Sequence, residues 1–285
     1  MPDFSHPPVI NAAEDSELGK KSLYESAYNP HKLFPIPRAG KRQEIGILSD
    51  KLPFYGFDRW NHYEVSWLNP KGKPMVGIAE IIYDCHTPCI IESKSLKLYF
   101  NSFNNTTIAD AKTLEAIVRE DLEARVQGPV SVKIHALSRF AERAMLAHFE
   151  GESIDALDVS CSVYQVEPAF LAAGLNTVEE VLCSDLLKSN CLVTHQPDWG
   201  SVQIAYKGPQ IDREGLLKYL VSFREHNEFH EQCIERIFID ILNRCKPQVL
   251  TVTGFYTRRG GLDINPCRST EPDFQPVDTL RLVRQ

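Results

Sequence analysis

The sequence predicts an α+β protein made of two similar units, in which helices cover one face of antiparallel sheets. The first observation is an internal repeat at an offset of 120 residues (Leu216 against Leu96). Both copies place apolar residues at the i, i+3, i+4 and i+7 spacing of one helix face, at 96–103 and 216–223. Alternating apolar residues at 130–134, and hairpin-like turns between short strands, indicate antiparallel pairing. The matching pairs are Leu96 and Leu216, Tyr99 and Tyr219, Ser102 and Ser222, and Phe103 and Phe223.

The first unit is predicted at 46–135. Its elements are, in order, a strand at 63–67, a turn at 69–72, a strand at 75–83, helices at 92–103 and 114–126, and a strand at 130–135. Gly128 and Pro129 end the second helix, because neither residue supports a helix interior. The apolar residues of that helix that face inward are Leu114, Ile117, Val118, Leu122 and Val126.

The second unit is predicted at 191–285 and follows the same β-β-α-α-β order. Its elements are a strand at 192–194, a turn at 197–200, a strand at 202–206, a helix at 214–225, a second helix with Ile234, Ile237, Phe238, Ile241 and Leu242 inward, and a strand at 249–254, with a further strand possible after it. Residues 1–45 are rich in proline and predict an extended N-terminal arm. Residues 136–190 connect the two units, and the sequence assigns them no role.

Composition limits the class of protein. With 285 residues, 43% hydrophobic and 24% charged, the chain is typical of a globular protein and unlike a disordered or coiled-coil one. The apolar runs are too short to span a bilayer, and no secretory signal is apparent, so a cytoplasmic protein without a membrane partner is expected. The net charge of −7 argues against a general nucleic-acid-binding surface but permits a local basic pocket.

Three segments are candidates for chemistry. Cys191 precedes the predicted turn aspartate Asp198. A thiol nucleophile needs activation, and a nearby carboxyl can serve as its proton donor or base, although a core cysteine beside an ordinary turn also explains this pattern. Glu231 lies at the start of an apolar-faced helix. Its charge is favoured there by the helix dipole, or its carboxylate accepts paired N–H groups from a ring. Arg259 and Gly260 lie in an Arg-Arg-Gly-Gly turn that suits a phosphate, or is merely solvated.

A metal site is not expected. Cys85, His86 and Cys89 have zinc-like spacing, but no second pair of ligands follows at the spacing of a zinc finger. Eight cysteines in a cytoplasmic chain are expected to be reduced.

Together these segments resemble the NADPH-dependent 7-cyano-7-deazaguanine (nitrile) reductases of queuosine biosynthesis. The matching segments are Glu92-Ser93-Lys94-Ser95-Leu96-Lys97-Leu98-Tyr99, Cys191 with Gln196-Pro197-Asp198-Trp199-Gly200, Ser222-Phe223-Arg224-Glu225-His226-Asn227, Phe229-His230-Glu231 and Arg259-Gly260-Gly261. The resemblance covers about 45 to 285, and the duplication is similar to that of the long, two-module subfamily. It implies the tunnelling fold (T-fold), in which modules close into a barrel through oligomerisation, so at least a homodimer is expected.

The resemblance also implies a role for each candidate residue. Cys191 is the expected nucleophile and Asp198 the acid. Substrate contacts are expected from Ile91, Glu92, Ser93, Phe229, His230 and Glu231. Contacts to NADPH, of which two are used per turnover, are expected from Ser93, Lys94, Arg259 and Gly260. No metal and no direct nucleic-acid partner are implied; the partner is the small molecule 7-cyano-7-deazaguanine.

The two copies carry complementary parts of this set. The signature with Lys94 lies in the first copy, whereas Ile211-Asp212-Arg213-Glu214 replaces it in the second. The nucleophile lies only in the second copy, and its counterpart in the first is predicted near Tyr63. Two alternatives stay open: another tunnelling-fold enzyme acting on a purine- or pterin-like ring, such as a zinc cyclohydrolase, and a non-catalytic purine-binding module.

Overall fold

A computed structural model describes residues 27–48, 51–138, 145–274 and 280–285. The helices of these ranges are α1 (Ala39–Glu44), α2 (Ser93–Asn101), α3 (Ala111–Val126), α4 (Arg213–Val221) and α5 (His230–Cys245). The strands are β1 (Pro35–Pro37), β2 (Tyr55–Leu68), β3 (Pro74–Asp84), β4 (Cys89–Ile91), β5 (Val130–His135), β6 (Met145–Ala147), β7 (Glu152–Ser153), β8 (Ala173–Ser184), β9 (Lys188–Asn190), β10 (Pro197–Ile211), β11 (Val249–Tyr256), β12 (Leu262–Ser269) and β13 (Leu280–Leu282). Short 3₁₀ helices occupy Pro30–Lys32, Pro168–Phe170 and Ser222–Glu225.

One sheet runs through both copies of the repeat. Its strand order is β5-β3-β2-β12-β11-β10-β8-β7, and β9 pairs with β10. The copies meet where β2 pairs antiparallel with β12, with His62 opposite Leu262. All neighbours are antiparallel except β7 and β8. The prediction of an α+β protein with antiparallel sheet is therefore confirmed.

The predicted helix faces are the ones that pack. In the first copy Leu96, Tyr99 and Val118 belong to one core cluster with strands β2, β3 and β5. In the second copy α4 and α5 pack on β10 and β11 and form another cluster, to which Leu216 and Phe238 belong. The spacing of the apolar residues thus located both helices in each copy. Within the described residues no helix is long and apolar enough to cross a membrane.

The start of the second unit differs from the prediction. The strand predicted at 192–194 is wrong: these residues form a tight turn, closed by the Cys191 N–H donating to the Gln196 carbonyl at 2.9 Å and the His195 N–H donating to the Cys191 carbonyl at 3.1 Å. The turn predicted at 197–200 is also wrong, because these residues begin β10 and pair with β9.

The strand that precedes β10 in the sheet is β8, which lies inside the connecting segment 136–190. Because β8 and β10 take the places of β2 and β3, the counterpart of Cys191 in the first copy lies near the turn at 69–72. The prediction that it lies near Tyr63, which is inside β2, is wrong.

Each copy also has a lead-in segment that packs on its helices. The 3₁₀ helix Pro30–Lys32 precedes the first copy and Pro168–Phe170 the second. Just before each 3₁₀ helix, a backbone N–H donates a hydrogen bond to the hydroxyl of a serine of the repeat. Asn29 N–H donates to Ser102 and Glu167 N–H donates to Ser222, each at 3.1 Å. The described part of the predicted N-terminal arm is therefore packed as part of the first unit.

The two lead-in segments continue differently. In the second copy the chain enters β8 at Ala173, three residues after the 3₁₀ helix ends at Phe170. In the first copy the chain forms β1, which pairs with β4, and then α1, before β2 begins at Tyr55. Residues 35–54 are thus an insertion that the described part of the second copy lacks. The two residues 49 and 50 of this insertion lie outside the described ranges.

Candidate active site

The hairpin of β9 and β10 brings the two predicted catalytic residues to one face. Asp198 stands opposite Ser189, and Cys191 lies two residues after Ser189. Residues two apart on a strand, and residues directly opposite across a pair, point to the same side. Cys191 lies one residue beyond β9, but its N–H donates to the Gln196 carbonyl and so continues the pairing, which makes Cys191 and Asp198 diagonal neighbours on one face of the hairpin. Both are buried, at 2% and 5% exposure.

The Asp198 carboxylate lies between two basic side chains. Arg259 Nη1 is 2.8 Å from Asp198 Oδ1, and His230 Nε2 is 3.6 Å from the same oxygen. The His230 ring in turn packs edge-on against Tyr256, with ring centroids 4.2 Å apart. The Arg-Gly-Gly turn, the start of α5 and the hairpin thus converge on one carboxylate, a contact that the three separate sequence segments did not predict.

Both carboxylate oxygens of Glu92 bond to the backbone at the start of α2. Its carboxylate caps α2 by accepting hydrogen bonds from the backbone N–H groups of Lys94 and Ser95, both at 2.7 Å. It is 1% exposed, and burial raises the pKa of the Glu92 carboxyl against the lowering effect of these hydrogen bonds. The sequence analysis missed this cap. Ile91, just before it, is buried at the end of β4.

Glu231 keeps an acceptor available. It lies in the first turn of α5, is 1% exposed, and its Oε1 makes no hydrogen bond within the described ranges. Burial, with the neighbouring Asp58 carboxylate, raises the pKa of Glu231 to about 8. Phe229 forms the N-cap position of α5, and it packs against the first core cluster. A buried acceptor without a partner is the group that a bound ligand would satisfy.

A cavity of 240 Å³ lies between the two copies. The first copy contributes Ser93, Lys94 and Lys97 of α2 to its wall. The second copy and β12 contribute Thr194, Gln196, Arg259, Gly260 and Leu262. All four predicted cofactor residues line this cavity. Three of the lining side chains are cationic, which suits the phosphate groups of a dinucleotide.

Gly260 permits a close approach at this wall. Its φ is +60°, a left-handed conformation that glycine adopts without strain. A Cβ placed there would have the Lys97 side chain as its nearest neighbour, at 3.7 Å. The residues of this wall therefore fit an anionic cofactor. The backbone at Gly260 is open to a close approach, and the side chains of Lys94 and Arg259 carry positive charge.

Sequence reasoning missed a buried ionic cluster behind this site. Its members are Arg38, Arg42, Asp58, Glu235 and Arg268. These residues are spread over the chain from 38 to 268, so no local motif unites them. One signal was available: Glu235 stands four residues after Glu231 on the apolar face of α5, beside Ile234 and Phe238.

Two groups of metal-type side chains occur in the described ranges. Asp84, Cys85 and His86 form one, and the other contains Glu228 with His226 and Cys233, with ligand atoms within 4.8 Å. Arg236 already pairs with the Glu228 carboxylate at 2.7 Å, which opposes a cation there. The expectation that no metal takes part stays a prediction.

Comparison with protein families gives two matches along the chain. A family described as "Nitrile reductase, 7-cyano-7-deazaguanine-reductase N-term" matches residues 24–134. A second, described as "QueF-like protein", matches residues 197–273.

Curated relatives match over nearly the whole chain. A protein of Legionella pneumophila (strain Lens) named NADPH-dependent 7-cyano-7-deazaguanine reductase is 62% identical, covering 96% of both chains. A protein of the same name from Delftia acidovorans is 53% identical, covering 97% of this chain and all of the other (100%). A solved structure titled as the archaeosine synthase QueF-Like in the apo form is 15% identical, with a TM-score of 0.30 over 36% of this chain and 99% of the other. At that score the last match says nothing about the fold.

Proposed function

Because the chain belongs to the family of NADPH-dependent 7-cyano-7-deazaguanine reductases, we propose that it reduces the nitrile of 7-cyano-7-deazaguanine to the aminomethyl group, within queuosine biosynthesis. The single observation that carries the assignment of the site is the shared face of Cys191 and Asp198, beside a cavity lined by Lys94 and Arg259. The protein is an oxidoreductase, and the cytoplasm is its proposed location.

Glu231 is the residue proposed to recognise the ring of the substrate. Its buried Oε1 lacks a partner among the described residues, whereas both oxygens of Glu92 already serve the α2 cap. An ionised Glu231 accepts N–H groups from the deazaguanine edge, and Phe229 packs beside it. A site built to hydrogen-bond an N–H edge rejects analogues without it by about 10⁴-fold or more. Ile91, Ser93 and His230 complete the proposed contacts, and Glu92 shapes the site by holding the start of α2.

The nitrile is activated by covalent addition. Cys191 Sγ bonds to the nitrile carbon, one π bond of the nitrile opens, and its nitrogen takes a proton, which gives a thioimide. The proton balances if Asp198 accepts it from the Cys191 thiol and passes it to the nitrogen. The ion pair of Asp198 with Arg259 keeps the carboxylate in place for this transfer.

The cofactor supplies hydride chemistry, and the protein supplies position and electrostatics. Lys94 and Arg259 hold the anionic part of NADPH, with Ser93 and Gly260 on the same wall. Two hydrides and two protons convert the nitrile to the amine, so two NADPH are consumed per product. The cavity is lined by the signature segment of the first copy and by Thr194 and Gln196, which follow Cys191 in the second, and this supports the proposed division of labour between the copies.

The proposed assembly is a homodimer of the tunnelling-fold type. The described sheet ends at β5 on one side and β7 on the other. Free edges can pair with another chain, and closure into a barrel removes them. Light scattering should give at least twice the 32.3 kDa chain mass. A monomer at working concentration would contradict this assembly.

The test of the proposed function is product stoichiometry. Purified protein is mixed with 7-cyano-7-deazaguanine and NADPH, the amine is quantified by mass spectrometry, and NADPH loss is followed by absorbance. About two NADPH should disappear per amine, the ratio that hydride balance requires. A ring ligand that binds without any amine would favour the alternative of a non-catalytic purine-binding module.

Lys94→Ala should raise the KM for NADPH several-fold or more while leaving covalent capture of the substrate nearly intact. The reason is that losing a cofactor contact removes mainly uniform binding. Fluorescence titration of NADPH and intact mass would be measured on the variant. Lys112→Ala, at an exposed position of α3, is the matched control and should behave as the parent. Normal NADPH binding with a blocked adduct would place Lys94 on the substrate side.

A further inference from the structure

The insertion at 35–54 of the first copy delivers two arginines to the interior. Arg38 and Arg42 are 3% and 8% exposed. Arg42 Nη2 lies 2.7 Å from Glu235 Oε1 on α5, and Arg38 bonds to Asp58 on β2. Arg268 of β12 joins both carboxylates, at 2.9 Å each. The insertion therefore ties the first copy to the helix that carries Glu231.

Three guanidinium groups in this cluster face two carboxylates, and the charges of two of them, Arg38 and Arg268, act on Glu231. Glu231 stands one helical turn before Glu235, so both point to the same side of α5. The carboxylate of Asp58 opposes ionisation of Glu231, and Arg38 and Arg268 favour it. The other titratable groups around Glu231 are Tyr83 of β3 and Tyr256 of β11, with His230 and Glu235 on its own helix.

We propose that Arg38 is a positioning residue for Glu231: through its positive charge and its ion pair with Asp58, it keeps Glu231 able to become the carboxylate that binds the substrate ring. This inference rests on the proposed role of Glu231 as the residue that recognises the ring. In this role Arg38 touches neither the substrate nor the cofactor. Its positive charge favours ionisation of Glu231 directly, and it also offsets the negative charge of Asp58, with which it is paired.

The proposal makes opposite predictions for the two partners of one ion pair. In Arg38→Gln, Asp58 keeps its ion pair with Arg268 but one positive charge is lost, so the Asp58 charge bears more strongly on Glu231 and the titration of Glu231 moves to higher pH. In Asp58→Asn, the opposing charge is gone while Arg38 and Arg268 remain, so the titration moves to lower pH. Neighbouring charges move such titrations by about one pH unit or more. An ion pair that only stabilised the fold would not move the titration of Glu231 in opposite directions in these two variants.

The experiment measures Glu231 directly in the free protein. A buried protonated carboxyl has an infrared carbonyl band that disappears as the group ionises, and Glu231→Gln assigns that band by removing it. In the parent the band should be lost around the pKa of about 8. It should be lost at higher pH in Arg38→Gln and at lower pH in Asp58→Asn. Arg38→Lys, which keeps the charge, should titrate close to the parent.

Two readouts separate this inference from the proposed function. Near-ultraviolet circular dichroism checks that each variant is folded. If Arg38→Gln is not, the double variant Arg38→Gln/Asp58→Asn, which removes both members of the pair, is compared with Asp58→Asn, and the band should be lost at higher pH in the double variant. Binding of 7-cyano-7-deazaguanine is followed over the same pH range, and its midpoint should move with the band. A band that does not move, or that moves the same way in both variants, overturns the role of Arg38. A band that moves as expected while no ring binds would instead overturn the role of Glu231 in the proposed function.

Discussion

Replacing Cys191 by alanine is expected to abolish turnover, by about 10⁴-fold or more, the scale on which removing a nucleophile acts. A nitrile carbon is a poor hydride acceptor, and without the thiol no carbon–nitrogen double bond is formed for the hydride to attack. Binding of NADPH should remain nearly unchanged, because the cavity that holds it is lined by other residues. Amine formation and NADPH titration are the measurements.

Cys161→Ala is the control for Cys191→Ala. Cys161 is a free cysteine outside the helices and strands, and its loss should leave turnover unchanged. Amine formation by Cys191→Ala at a rate near that of the parent would mean that another cysteine acts, or that hydride attacks the nitrile directly.

Replacing Asp198 by asparagine is expected to slow covalent capture by about 10²-fold or more, the usual scale of general acid–base catalysis. Asparagine keeps the shape of the side chain but cannot move a proton between the Cys191 thiol and the nitrile nitrogen. Ring binding should weaken much less. Rapid mixing of variant and substrate, followed by intact mass against time, gives the rate.

The ion pair between Asp198 and Arg259 offers a competing explanation with a different signature. If Asp198 acts only by holding Arg259, the variant should capture substrate at the parental rate and show a raised KM for NADPH. A normal capture rate would therefore remove Asp198 from the proton transfer.

Much of the fold could be predicted because helix periodicity survives tertiary packing. The spacing of Leu96 and Tyr99, and of Leu216 and Tyr219, located α2 and α4, and all four side chains are buried. Strand assignment failed where turn chemistry competed with β propensity. Leu192 to Thr194 have strand-forming side chains, yet the backbone closes a turn there and reaches the left-handed region at His195, with φ +55°.

The missed strand β8 lacks a clear alternation. Its first half, which includes Asn176 and the fully exposed Leu175, carries little apolar signal, so the segment gave no strand pattern. The motifs of the site could be predicted one by one, but the contacts between them in the folded chain could not. The contact of Asp198 with Arg259 joins residues whose proximity depends on the register of β10 against β11 and on the turn after β11.

The part of the insertion up to residue 45, which includes Arg38, falls in the predicted extended arm, a prediction that rests on the prolines of 1–45. What the composition could not reveal is that its two arginines have buried carboxylate partners on β2 and α5. Buried charges are stable only when paired, so such residues become interpretable once the partners are known.

The intact mass of the protein after mixing with 7-cyano-7-deazaguanine in the absence of NADPH tests whether Cys191 adds to the nitrile before any hydride arrives. The protein mass should rise by the mass of one substrate, and peptide mapping should place the addition on Cys191 among the eight cysteines. Addition of NADPH should then release the adduct as the amine. An unchanged mass at saturating substrate, or an adduct that persists in Cys191→Ala, would contradict the account.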